Sequence, residues 1–180
     1  MRVISGTAKG RKLKEPTGLS IRPTSAMVKE SIFSIIQFEL EGAQVLDLYA
    51  GTGQLGIEAL SRGAAGTTFV DSSPIAVKLI RENLSQCSFS GNASVYMRDS
   101  LKFLTSSWQR YDIIFVDPPY GMPVIGGVLS RIIEFDKLNA NGIIICETSA
   151  GSAMEDVPQP YFLKKEYRYG GVKILRYGRS

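Results

Sequence analysis

Asp117-Pro118-Pro119-Tyr120 closes the apolar run Ile113-Ile114-Phe115-Val116 and is the sharpest chemical signal in the chain. Each proline locks its own φ and restricts the residue before it, so the backbone there is rigid. The outcome is a preset carboxylate, a carbonyl on Pro118 and an aromatic ring at one strand end. An exocyclic amine on a nucleic-acid base has two N–H donors and a lone pair delocalised into its ring. If Asp117 and the Pro118 carbonyl each accept one N–H, the amine can pyramidalise and aim its lone pair at an electrophile. Tyr120 can stack on the base and hold it out of its helix. This chemistry rests on positioning and electrostatics, with the driving force supplied by a reactive cofactor.

A second constellation lies upstream. Asp47-Leu48-Tyr49-Ala50-Gly51-Thr52-Gly53-Gln54-Leu55-Gly56 contains G-x-G-x-x-G at an expected strand-to-helix junction. There glycines allow a tight turn and close approach of a nucleotide-like ligand. No Lys-Ser/Thr follows, so a phosphate P-loop is excluded. Asp47, at the end of the strand, suits a ligand carrying an ammonium and a sulfonium better than one carrying a pyrophosphate. S-adenosylmethionine has both cations and no phosphate. Asp71 ends the next expected strand, where an acid can accept both ribose hydroxyls. Asp99 follows the third and can accept from an adenine amino group. With Tyr49, Gly51, Thr52, Gly53, Ser72 and Ser100, these acids make up the expected cofactor set.

The composition narrows the chemistry. The 180 residues contain no histidine, which removes Ser-His-Asp and Cys-His catalysis and histidine metal sites. Cys87 and Cys146 make neither a disulfide framework nor a zinc set, so no metal is expected. The apolar runs are strand-sized and the N-terminus lacks an apolar leader, so a cytoplasmic protein without a membrane span is expected. Charge is uneven: net +6 over residues 1–29, −7 over 30–163 and +5 over 164–180. Basic ends on an acidic body suit a polyanion gripped by the ends, although solvated basic termini would look the same.

Those residues need a scaffold, and the apolar periodicity supplies one. A helix is expected from Thr24 or Ser25 to about 40. Strands are expected at 45–48, 67–70, 93–97, 113–116 and 142–147, with helices at 56–62, 74–85, 101–107 and 124–135 between them. Strands apolar on both faces, alternating with helices, mean a parallel sheet covered on both sides. Segments 161–169 and 172–177 flank Gly170-Gly171, a hairpin signal. The expected fold is therefore α/β: a doubly wound, mostly parallel seven-stranded sheet with a C-terminal β-hairpin contributing one antiparallel strand. The length fits one domain, divided here into a basic arm with a short hairpin (1–24) and a cofactor-binding catalytic core (25–180).

Arg2-Val3-Ile4-Ser5-Gly6, Gly10-Arg11-Lys12-Leu13, Arg22-Pro23-Thr24, the turn 45–56, Glu58-Ala59-Leu60-Ser61-Arg62-Gly63-Ala64 and the run 115–120 closely resemble the RsmD-type methyltransferases. The resemblance runs nearly end to end and reaches Tyr169-Gly170-Gly171-Val172. It implies a Rossmann-like class I fold and transfer of methyl from S-adenosylmethionine to the N2 amine of a guanine in 16S ribosomal RNA. It also implies cofactor contacts at Asp47, Gly51, Gly53, Asp71 and Asp99, and an amine site at Asp117, Pro118, Pro119 and Tyr120. Lys9, Arg11, Lys12, Arg22 and Thr24 are the expected RNA-facing residues. Ser25-Ala26-Met27 departs from a Thr-Asp-Arg-like stretch, so one basic residue is missing and Lys29 is a candidate substitute. A monomer acting on the RNA or the small ribosomal subunit is expected. The rivals are a DNA or RNA adenine-N6 methyltransferase, an NAD-dependent oxidoreductase and a non-catalytic RNA-binding module. A DNA adenine-N6 enzyme normally adds a recognition domain that 180 residues leave no room for. The second has no use for Asp-Pro-Pro-Tyr, and the third would not need all four acids.

Overall fold

The structure, a computed structural model, describes residues 1–16, 25–119, 122, 124–153 and 156–180. Its elements are α1 (Ala26–Ile35), β1 (Gln44–Leu48), α2 (Gln54–Ser61), β2 (Gly66–Asp71), α3 (Pro74–Cys87), a short 3-10 turn (Ser90–Asn92), β3 (Ala93–Met97), α4 (Ser100–Ser106), β4 (Tyr111–Val116), α5 (Ile125–Glu134), β5 (Leu138–Ser149), β6 (Tyr161–Tyr169) and β7 (Val172–Arg179). The strands form one sheet in the order β3-β2-β1-β4-β5-β7-β6. Pairing is parallel from β3 through to β5, and β7 runs antiparallel to both β5 and β6. The expected doubly wound sheet with one reversed strand near an edge is the one observed.

Period-two alternation splits the core cleanly. Val45, Phe69, Ile113, Phe115, Ile143 and Ile145 face the side covered by α1, α2 and α3. Leu46, Leu48, Val70, Ile114, Val116, Ile144 and Cys146 face α4 and α5. The order reverses between β1 and β4, so their C-terminal ends open a crevice at the switch point, where doubly wound sheets bind ligands.

Three elements differ from the sequence expectation. Helix α1 stops at Ile35, with Ile36 as its C-cap, rather than running on to about 40. Ile36 and Leu40 are nonetheless buried, because the following turn carries the same apolar stripe into the core. Helix α2 begins two residues early, directly after Gly53 at φ 78°. Gly56 is therefore helical, and an added Cβ would meet the Phe69 ring at 2.2 Å, so its absence lets α2 press onto β2. Strand β5 starts at Leu138, earlier than the expected 142, because polar Asn139 and Asn141 hide its first turns from an apolar count.

The larger revision concerns the N-terminus. Residues 1–13 are a hairpin, with Arg2 bridging Lys12 and Val3 N–H donating to the Arg11 carbonyl at 3.0 Å. Val3, Ala8 and Leu13 enter the core beside α1 and β1. The described part of the expected arm is thus integral to the fold. Its three buried side chains follow no helical or strand period, which is why the sequence reads as a loose arm.

Candidate active site

Three carboxylates converge on the switch point. Asp47 lies near the end of β1, Asp71 ends β2 and Asp117 follows β4; each continues the alternation of the α1–α3 face (Val45, Phe69 and Phe115). Leu48 pairs with Val116, so Asp117 leaves the sheet level with Tyr49. Asp47 is 1% exposed, and its carboxylate accepts the Gly56 N–H at 2.9 Å. It thereby caps α2, whose N-cap Gly53 offers no side chain. Burial holds the Asp47 carboxyl well above the usual carboxylate range; the Gly56 N–H opposes this, while the nearby Asp117 and Asp71 charges add to it. A cation seated there would relieve all three effects. That is the donor chemistry an ammonium- and sulfonium-bearing cofactor requires.

The turn that carries the expected cofactor residues is held from below. Tyr49, Gly51 and Gly53 all adopt positive φ (59°, 57° and 78°). The Gly51 N–H donates to Asp71 Oδ2 at 2.9 Å, and the Ser73 N–H donates to Asp71 Oδ1 at 2.8 Å. Asp71 is thus oriented by two backbone donors, and each oxygen keeps a lone pair for a hydroxyl. Tyr49 hydrogen-bonds Ser100, and burial pushes its hydroxyl pKa up. Asp99 caps α4 by accepting the Lys102 N–H at 3.0 Å, so it has a structural role beside any ligand role. Ser72 is exposed on the bend after β2. Thr52 turns its hydroxyl toward Met1 Sδ, at 3.6 Å.

At the β4 exit Asp117 is half-buried, Pro118 buried and Pro119 exposed. The Pro119 carbonyl accepts the Met122 N–H at 3.3 Å. Tyr120, Arg22 and Thr24 lie outside the described residues.

The basic residues sort into two sets. Lys9, Arg11 and Lys12 are exposed on the N-terminal hairpin. Arg11 also donates to the Gln86 carbonyl of α3, which pins the hairpin's second strand. Lys29 does not substitute for the missing basic residue near the substrate. It is 2% exposed, donates to the Arg2 carbonyl at 2.7 Å and pairs with Glu58 at 3.3 Å. Burial lowers its pKa, partly offset by Glu58. At the other end of the chain, Lys173 donates to the Ser152 carbonyl, Arg176 pairs with Glu39 and Arg179 pairs with Asp136. Much of the C-terminal positive charge is consumed internally.

Two residues with no assigned role in the sequence reading organise this region. Glu58, fully buried in α2, accepts the Ile4 N–H at 2.8 Å, the Ser5 N–H at 2.9 Å and Arg62 Nε at 2.9 Å, and pairs with Lys29. Asn83 in α3 bonds both Lys14 and the Thr52 carbonyl. Neither position carries a local sequence signal, because a Glu or Asn within a helical stretch ordinarily reads as part of its solvated face.

Carboxylates rather than a phosphate cradle close the switch point, Asp117 of the Asp-Pro-Pro exit among them; together with its relatives, this fold makes the protein a methyltransferase of the Rossmann-like class. The family described as conserved hypothetical protein 95 matches residues 1–178, and the chain belongs to that family, the RsmD family. A Bacillus subtilis protein, YlbH, named as a candidate rRNA methyltransferase, is 38% identical over 181 residues, 98% of each chain. Ribosomal RNA small subunit methyltransferase D of Escherichia coli K12 is 32% identical over 180 residues, covering 100% of this chain and 90% of that one. A solved Escherichia coli structure described as a candidate methyltransferase superposes with a TM-score of 0.91 at 30% identity, covering 100% of this chain and 98% of that one.

Proposed function

We propose that the protein transfers a methyl group from S-adenosylmethionine to the N2 amine of a guanine in 16S ribosomal RNA. The observation that carries this reading is the meeting of buried Asp47 with the Asp117-Pro118-Pro119 exit across the β1/β4 crevice. S-adenosylmethionine supplies an electrophilic methyl when bound. Asp47 holds the cationic end of the ligand, Asp71 the ribose and Asp99 the adenine edge, with Tyr49, Gly51, Thr52, Gly53, Ser72 and Ser100 shaping the turn. Asp117 and the Pro118 carbonyl accept the two amine hydrogens, which frees the nitrogen lone pair for in-line attack. As the N–C bond forms, the methyl–sulfur bond would break to leave S-adenosylhomocysteine, and the proton released from the amine passes to Asp117 or to solvent beside it. Tyr120 stacks on the displaced base.

Lys9, Arg11 and Lys12 on the hairpin, joined by Arg22, neutralise RNA phosphates and the Thr24 hydroxyl donates to one, while an RNA loop offers a base that is cheap to splay out. The protein acts as a monomer in the cytoplasm and needs no metal. Among the described residues no helix is long and apolar enough to cross a membrane, and no group of three or more His, Cys, Asp or Glu could hold a metal ion.

The test is labelled methyl transfer to small-subunit RNA or to the assembled small subunit, followed by nucleoside mass analysis. N2-methylguanosine is expected, and Asp117→Ala should abolish it. N6-methyladenosine would instead establish the adenine-enzyme reading.

A further inference from the structure

The amide of Asn83 joins two segments that have separate tasks in the reading above. Asn83 lies in α3 and is 0% exposed. Its Oδ1 accepts the Lys14 N–H at 2.7 Å. Its Nδ2 donates to the Lys14 carbonyl at 3.2 Å and to the Thr52 carbonyl at 3.0 Å. Both amide hydrogens and the oxygen are therefore used, on the main chain of two segments distant in sequence. Lys14 is two residues beyond Lys12 and directly follows the hairpin's second strand. Thr52 is the middle residue of the glycine turn. A second contact crosses the same junction, from Thr52 Oγ1 to Met1 Sδ. The start of α3 is also tied to the turn, because Asp71 accepts both the Gly51 and the Ser73 N–H groups.

We propose that Asn83 is a positioning residue that couples occupancy of the glycine turn to the placement of the basic hairpin, so that cofactor and RNA bind cooperatively. The inference rests on the assignment of turn to cofactor and hairpin to RNA made above. Its physical basis is that a buried amide cannot give up a partner cheaply. A shift of Thr52 must either strain the bond to Nδ2 or carry the amide, and Lys14 with it. A ligand that fixes the turn fixes the amide. The fixed amide then holds the strand that presents Arg11 and Lys12. Coupling of this kind is reciprocal, so RNA should tighten cofactor binding by the same factor.

The experiment titrates a small-subunit rRNA transcript onto the full-length protein at constant salt, with and without saturating S-adenosylhomocysteine. In the unmodified protein the ligand should tighten RNA binding about fivefold or more. Asn83→Asp keeps the acceptor for the Lys14 N–H but turns an oxygen toward the Lys14 and Thr52 carbonyls. It should bring the factor to near one whatever it does to each separate affinity. A merely structural role would weaken both affinities and keep their ratio, and that result overturns the proposal. So does a factor near one in the unmodified protein.

A second readout needs neither RNA nor a variant. Hydrogen exchange at the Lys14 amide of the unmodified protein should slow at least threefold when S-adenosylhomocysteine binds; unchanged exchange overturns the coupling. If the transcript does not bind at all, the RNA reading falls, while the Lys14 exchange still decides the role of Asn83.

Discussion

Asp47 sets stability against ligand binding. Its pKa in the folded chain lies above the value in the unfolded one, chiefly through burial. Between those two values the folded chain holds a proton that the unfolded chain has released. Stability therefore falls as pH rises through that window; the loss is absent below the ordinary carboxylate range and complete above the raised value. Asp47→Asn keeps an acceptor for the Gly56 N–H and removes the charge. Its expected outcome is a higher melting temperature than wild type in the absence of ligand at neutral pH, with the difference closing on acidification. The same change removes the partner of the ligand's ammonium. Its S-adenosylhomocysteine affinity should drop on the order of 10- to 100-fold, the worth of a hydrogen bond to a charged group. For the unmodified protein, ligand affinity should rise with pH through the window and then level off, since binding a cation must expel the proton. Calorimetric titration across pH, paired with melting curves, checks all three outcomes. At this scale the acids were legible because strand-end carboxylates sit at fixed offsets from glycines. Glu58 and Asn83 were not, because their partners lie 53 and 69 residues away in the chain.

The N-terminal hairpin is the element whose attachment matters most. Four donors converge on the Glu58 carboxylate, two of them backbone amides of the hairpin. Glu58→Ala would leave Lys29 buried without its counter-ion, a loss of about 3–5 kcal/mol for a broken buried pair. The hairpin should then become protease-sensitive near residue 5, while the strands of the sheet keep their exchange protection. Uniform loss of protection across the sheet would show that the hairpin does not come away as a unit. Gly6 tests the same docking from the other side: a Cβ there would lie 1.6 Å from the Ser61 carbonyl oxygen. Gly6→Ala should therefore release the hairpin without touching Glu58. The strand and helix alternation of the sheet was readable because both of its faces are apolar. The short hairpin was expected, but its docking into the core was not readable, because it is anchored by main-chain hydrogen bonds to α2, and these leave no hydrophobic period.

Across the whole molecule, the basic surface is narrower than the charge count suggested. Lys29, Lys173, Arg176 and Arg179 are spent on internal partners, while Lys9, Arg11 and Lys12 remain exposed on one hairpin. Replacing Arg11 and Lys12 with Ala should weaken RNA binding and reduce its salt slope by about 2, near one unit per phosphate contact. S-adenosylhomocysteine affinity should hardly change in calorimetric titration. Equal loss of both would refute the division between hairpin and crevice. One feature of the sheet bears on how the protein is made. Strand β7 lies between β5 and β6, so the latest of the seven described strands to be synthesised is an interior one. During synthesis β6 emerges with β7, its neighbour among the described strands, still unmade, and β5 waits with one edge bare. Closure of that half of the sheet therefore waits on β7, and a chain cut back to before residue 172 loses an inner strand rather than a fringe.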